Sequence, residues 1–529
     1  MLRREERQRR PVIAPMFLPV DAPLKATPEM DFAHELMPLI KDGKQDDVRE
    51  LFAALTSARR MVLWALDRDR TTVTTDDMLE RVREYAALLR GFSSPPEGAS
   101  SKGSLRRATS FVWRDLLDVK GRDWRMSDVS LEEASVLLAA SQNLLSKVAR
   151  ETLNASNAVD VHATLRKTAG LLAEARKLAT DAETWHPHDE EDDADAEDDD
   201  EETVVAEIAE DPEKSGDDVV RVEAQVVPKP PPEPKPPKKG DSDDEKKKDT
   251  TEEKTTKKGS WFGSSFSSKK KKKKEKIEGG FRSSTDLRLA LPEAWAHLAL
   301  AEAQTATLSR ACAQPHIEWS LIASLCADQV DRYGRGVDGH VEALIQAAPD
   351  AANLKEWAGK RVSHAFLKSH VETKTLYFSA ISRYCVGAPL LELAVRDTND
   401  TMCSQALAEL GAALAFMKEA QAASSKFLAT SRPITYVQDP TQTLQDSHDL
   451  IKRAYDRALQ LDSSIFHRGP SELGPFPERK SLITAVPCPD PGKSPLWTRQ
   501  AWDAFDQAKL PENPPFGVAS DSRDCCLIS

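Results

Sequence analysis

The chain has 529 residues, with 73 Lys and Arg against 86 Asp and Glu and a formal net charge of −13. That acidity excludes a general nucleic-acid binder, since a phosphate backbone demands a basic surface. Its 7 cysteines contain no CxxC pair, which excludes a disulfide framework and fits a reducing cytosol, and no run of about eighteen apolar residues marks a membrane-spanning helix.

Residues 1–20 are read as an unordered cap. The segment is rich in Arg, and Pro11, Pro15 and Pro19 break any secretory apolar core. Met16 to Val20 is a strand candidate. Residues 21–185 are expected to form long helices. Thr74 and Asp77 supply a cap ahead of Met78, Val82, Tyr85, Leu89 and Phe92, spaced three or four apart. Residues 93–104 are a Pro/Gly/Ser loop. Residues 111–117, with Phe111 and Trp113, are apolar enough to anchor a second helix pair. Ser130 with Glu133 reads as a capping box for a helix over 131–152, whose stripe is Val136, Leu137, Ala140, Leu144 and Val148.

Residues 186–280 change composition completely. They hold an acidic block at 189–202, a proline-rich stretch at 228–237 and an unbroken run Lys269, Lys270, Lys271, Lys272, Lys273 and Lys274. Such a segment buries too little apolar surface to offset chain entropy and is read as a disordered insert. Trp261, Phe262 and Phe266 precede the lysines, an arrangement that suits an anionic membrane surface.

Helical periodicity resumes over 287–310, 319–332, 341–347, 351–384, 404–427 and 446–461. Residues 481–486 are a second strand candidate. A short helix is expected over 498–509, within a C-terminal segment, 491–529, that ends in a loose tail.

Signatures of catalysis are lacking. There is no P-loop, no GxSxG elbow and no kinase motif. His34-Glu35 has no second histidine at zincin spacing, and His186 and His188 beside the acidic block read as solvated loop. The expectation is a binding protein, not an enzyme, with no metal and no cofactor. An enzyme with a dispersed site is the alternative from another class.

The tail Cys526-Leu527-Ile528-Ser529 fits the C-a-a-X prenylation signal, with the terminal Ser favouring farnesyl on Cys526. Localisation is therefore expected in the cytoplasm and on the cytosolic face of membranes.

Several stretches, taken in order, resemble the Bro domain family. They are Asp21 to Thr27 with Phe32, Leu88-Leu89-Arg90-Gly91-Phe92, residues 111–117, residues 162–178, Ala301-Glu302-Ala303-Gln304 with Arg310-Ala311, and residues 403–420. Thr305 departs from the family's usual Glu. The resemblance spans 21–185 and 281–490 as two parts of one domain, and the insert between them departs from the family's short connection. It implies a mainly α fold: a boomerang-shaped helical solenoid with tetratricopeptide-like hairpins and a small sheet. It also implies a partner, the C-terminal amphipathic helix of an ESCRT-III subunit of the charged multivesicular body protein 4 type, held in a hydrophobic groove. Matching positions for that groove are Leu321, Ile322 and Leu325, with Thr307 and Leu308 on the preceding helix. By spacing alone the same leucines read as core. One Bro domain followed by a C-a-a-X box marks one subtype, for which the nuclear envelope and endosomes are the candidate membranes. A rhophilin-like signalling scaffold is the alternative within the family.

Overall fold

The computed structural model describes residues 15–17, 24–67, 73–93, 95–99, 104–116, 123–154, 156–184, 285–288, 291–314, 316–339, 364–430, 440–511 and 517–518. They fall in one compact unit. The expected helix over 341–347, the insert and the prenylation signal lie outside the described residues.

The helices are α1 (Phe32–Leu36), α2 (Gln45–Leu66), α3 (Thr75–Arg90), α4 (Val129–Ala149), α5 (Ala158–Thr184), α6 (Thr285–Arg288), α7 (Leu291–Cys312), α8 (Trp319–Asp331), α9 (His364–Asp397), α10 (Asp400–Thr430), α11 (Pro440–Leu461) and α12 (Arg499–Asp503). Long helices pack mainly on their neighbours in sequence: α2 on α3, α3 on α4, α4 on α5, α5 on α7, α8 on α9, α9 on α10 and α10 on α11. This nearest-neighbour packing is the signature of a solenoid. Two apolar cores result, one under α1 to α7 and one under α7 to α11. Each fully buried Leu, Ile or Phe contributes about 1.5–3 kcal/mol.

Local chemistry sets the helix starts. Thr74 caps α3 by accepting from Asp77 N, as its sequence predicts. The expected capping box at Ser130 does not form. Asp128 caps α4 instead, its carboxylate accepting from Ser130 N at 2.8 Å. Glu133 is drawn to Arg90 of α3 at 2.9 Å, so it is not free to reach back to the cap. Pro440 opens α11, where its missing N–H costs nothing.

Residues 111–117 also differ from expectation. Phe111–Arg114 is strand β1, paired antiparallel with β2 (Asp123–Met126), and β2 pairs with β3 (Gly517–Val518). Phe111 and Trp113 turn into the core while Val112 and Arg114 are half-buried, the alternation of a sheet with one covered face.

The N-terminal stretch is not wholly unordered. Met16 and Phe17 are buried, and the Met16 carbonyl accepts from Lys374 Nζ at 2.5 Å. Lys25 Nζ meets Asp286 at 2.6 Å with both side chains fully buried. Arg59 donates to Glu132 at 2.8 Å and to the Pro28 carbonyl at 2.7 Å, and Tyr85 and Trp113 also donate to Glu132. Buried charge of this kind survives only when paired and hydrogen-bonded.

Residues 467–497 form an extended strap that runs back across the helices. Expected strand 481–486 is part of it and has no ladder partner. It is held by single contacts instead: Arg383 to the Gly474 carbonyl at 2.9 Å, Lys480 N to the Ser324 carbonyl at 3.2 Å, Arg332 to the Ile483 carbonyl at 2.9 Å, Arg166 to the Thr484 carbonyl at 2.7 Å and Trp497 Nε1 to the Leu88 carbonyl at 2.7 Å. Two glycines let the strap seat. A Cβ on Gly170 would overlap the Val486 carbonyl, and one on Gly91 would overlap the Trp497 indole.

One helix, α9, is long and apolar enough over Lys368–Asp397 to cross a membrane, which the sequence reading did not anticipate. In the fold, 67% of its apolar window is buried, so it is the central helix of the second core.

Candidate functional site

The proposed groove lies where α7 meets α8. Gln329 of α8 donates to the Ala301 carbonyl and to Thr305 Oγ1 of α7, each at 2.7 Å. Thr305 thus supplies a compact acceptor where a glutamate would force a second charge beside Glu302. Glu302 already accepts from Lys374 at 2.9 Å and Tyr333 at 2.8 Å. Burial lowers the Lys374 pKa and its pairing with Glu302 opposes that. Burial pushes His370, one turn before Lys374, down to about 3, and the nearby ammonium adds to the effect. The hub fixes α7 against α9, and Ser382 fixes α9 against α8 through the Ala323 carbonyl at 2.9 Å.

The five groove positions separate on this frame. Leu308, Ile322 and Leu325 have relative exposures of 0%, 1% and 0%, and belong to the second core. They form the wall beneath the surface. The strap closes beside them, since Lys480 bonds the residue preceding Leu325. Thr307 and Leu321 are half-buried and keep outward-facing area. Thr307 Oγ1 is bonded to its own helix at the Ala303 carbonyl, 3.3 Å away.

Structure adds what spacing missed. Ala311, Cys312, Ile317, Trp319 and Leu321 are all partly exposed and packed on the second core, forming an apolar corner at the α7–α8 turn. Trp319 meets Tyr384 of α9 edge to face, ring centroids 6.0 Å apart. A Trp opening a helix after Ile317 was the available signal. Burial pushes the Cys312 thiol up to about 12 and raises Cys326 and Cys385 behind it. These thiols stay protonated at neutral pH and act as apolar wall, not nucleophiles. The corner can therefore receive apolar anchors. Among the described residues no group of three His, Cys, Asp or Glu is placed to hold a metal. Cys526 and Lys269 to Lys274, with Trp261, Phe262 and Phe266, lie outside the described residues.

The helical array with its small three-stranded sheet is a Bro1-like fold. No family model and no curated protein matches the sequence. Among solved structures the chain is similar to the ALIX BRO1 domain in complex with CHMP4C, at 14% identity over 90% of this chain and 96% of that one, with a TM-score of 0.50. It is also similar to a Bro1 domain described as the basis for endosomal targeting, at 12% identity over 89% and 94% of the two chains, with a TM-score of 0.52. The likeness is one of fold.

Proposed function

We propose that this protein is a membrane-tethered, non-catalytic adaptor of the BROX type, which recruits an ESCRT-III subunit of the charged multivesicular body protein 4 kind during membrane remodelling, sorting or repair. The observation that carries the reading is the apolar corner at Trp319 and Leu321 on a Bro1-like fold. The neighbouring ALIX domain was solved with CHMP4C on the same fold. Recognition is helix-in-groove: apolar anchors at i, i+3 and i+4 of the partner meet the corner. Tethering rests on Cys526. Its thiol attacks a prenyl diphosphate, forming a thioether and releasing diphosphate and the thiol proton. One lipid chain anchors only marginally, so the Lys269 to Lys274 run serves as the second signal on anionic cytosolic leaflets, at the nuclear envelope or endosomes.

The test is fluorescence polarisation with the C-terminal helix peptide of the ESCRT-III subunit. Leu321→Asp is expected to weaken binding at least tenfold while circular dichroism stays unchanged. Binding equal to wild type overturns the corner. Leu325→Asp is unsuitable as a binding probe, because a carboxylate at a fully buried position unfolds the second core. Cys526→Ser should move the protein out of the membrane fraction and leave peptide affinity intact.

A further inference from the structure

A second concavity, remote from the α7–α8 corner in sequence, lies between α3, α4, α5 and the strap. Its volume is about 290 Å³. Val82, Ala86, Leu137 and Leu171 make an apolar floor. The opposite wall is strap, where Pro487, Pro489 and Pro491 carry no N–H to offer a ligand. Between them Cys488 is pushed up to about 11, chiefly by burial, so the wall is neutral. Charged groups line the α3 rim as well as the two ends and are tied to one another, Arg83 holding Glu80 at 2.8 Å along the rim. Lys167 holds Asp76 at 3.1 Å at one end, and Arg90 holds Glu133 at 2.9 Å at the other. The trough therefore has walls for hydrocarbon and little to recognise a polar ligand. From Asp76 to Ala86, α3 runs about 15 Å along it.

We propose that this trough is a docking site for the isoprenoid carried on Cys526 of the same chain. The inference rests on the C-a-a-X reading of Proposed function. Reach argues for this occupant. Val518, the last described residue, pairs with Trp124 of β2. From Trp124 the chain takes four extended and five helical steps to Glu133 at the trough, at most about 22 Å, plus about 5 Å across the strand pair. The eight steps from Val518 to Cys526 span up to about 27 Å. The tail is thus long enough to bring Cys526 to the Glu133 end, with the lipid directed along the floor. Docked, the lipid is shielded from water; released, it inserts into a bilayer. Because one chain is a marginal anchor, the competition between trough and bilayer sets how much protein is bound.

The experiment uses the full chain, farnesylated in vitro and checked by intact mass, with sedimentation on phosphatidylcholine vesicles. Leu79→Trp, at the half-buried rim, and Ala86→Phe, on the floor, fill the trough. Each is expected to raise the ratio of bound to free protein at least threefold, because the displaced lipid has only the bilayer left. In parallel, unlipidated wild type is titrated calorimetrically with S-farnesyl-cysteine methyl ester, and saturable binding that Leu79→Trp removes is expected. Absence of lipid on Cys526 overturns the C-a-a-X reading and this proposal with it. A lipidated chain that sediments alike in all three forms, or a wild type that binds no farnesyl-cysteine ester, overturns the trough alone.

Discussion

Replacing Asp286 with Ala breaks a buried ion pair that links the two sequence halves of the domain across the insert. Asp286 takes Lys25 Nζ on both oxygens, at 2.6 and 2.8 Å, and also accepts from Leu116 N at 3.0 Å. Both side chains are fully buried, so solvent cannot take over either role. Removing one partner of a buried pair costs about 3–5 kcal/mol, and an orphaned buried amide about 1–3 kcal/mol more. The sum, roughly 4–8 kcal/mol, compares with a typical total stability of about 5–15 kcal/mol. Urea unfolding should show the midpoint of Asp286→Ala falling by most of its value, with loss on both sides of the insert. The double variant Lys25→Met with Asp286→Leu removes both charges and should recover to within about 1–3 kcal/mol of wild type, because an apolar pair can replace a buried ion pair at little cost and only the Leu116 amide stays orphaned. A single variant that loses less than about 1 kcal/mol, or a double variant whose loss is the sum of the two singles, refutes the coupling.

Gly170→Ala should lift the strap from α5, because the new Cβ meets the Val486 carbonyl, a backbone atom that cannot swing away. Limited proteolysis should then cut within 470–497 at least tenfold faster, with α9 and α10 protected as before; unchanged cutting argues against the seat. His370 makes stability pH-dependent. Unfolded it titrates near 6.5 and folded near 3, so between these values the unfolded chain binds the extra proton. Stability should fall by about 1.4 kcal/mol per pH unit as pH drops through that window, and His370→Phe should flatten this part of the urea-midpoint profile. A profile of equal slope in both proteins refutes the assignment.

Long amphipathic helices were legible because burial repeats at helical spacing: Met78, Val82, Tyr85 and Leu89 are all core. The cap at Thr74 was legible because its hydroxyl bonds an amide three residues on. The cap at Ser130 was misread because two carboxylates compete there, and the choice depends on Arg90 of another helix. β1 was missed since four residues carry too short an alternation, and the sheet it joins is completed by Val518, which pairs with Trp124 of β2 from the far end of the chain.

The candidate site divides along the same line. Sequence by itself determined that α7 and α8 are apolar helices side by side in the chain, that Leu321 and Leu325 share a face, and that the four residues from Cys526 fit the C-a-a-X pattern. All of these are local patterns, within the reach of a helical turn or a tetrapeptide. Only the tertiary structure decided that Leu325 is core while Leu321 keeps exposed area, that Trp319 joins it at the corner, and that the strap roofs a trough over α3 and α5. The physical reason is that exposure is set by what covers a face. Here the cover is α9 and a strap whose contacts, from Trp497 to Leu88, reach across 409 residues of chain.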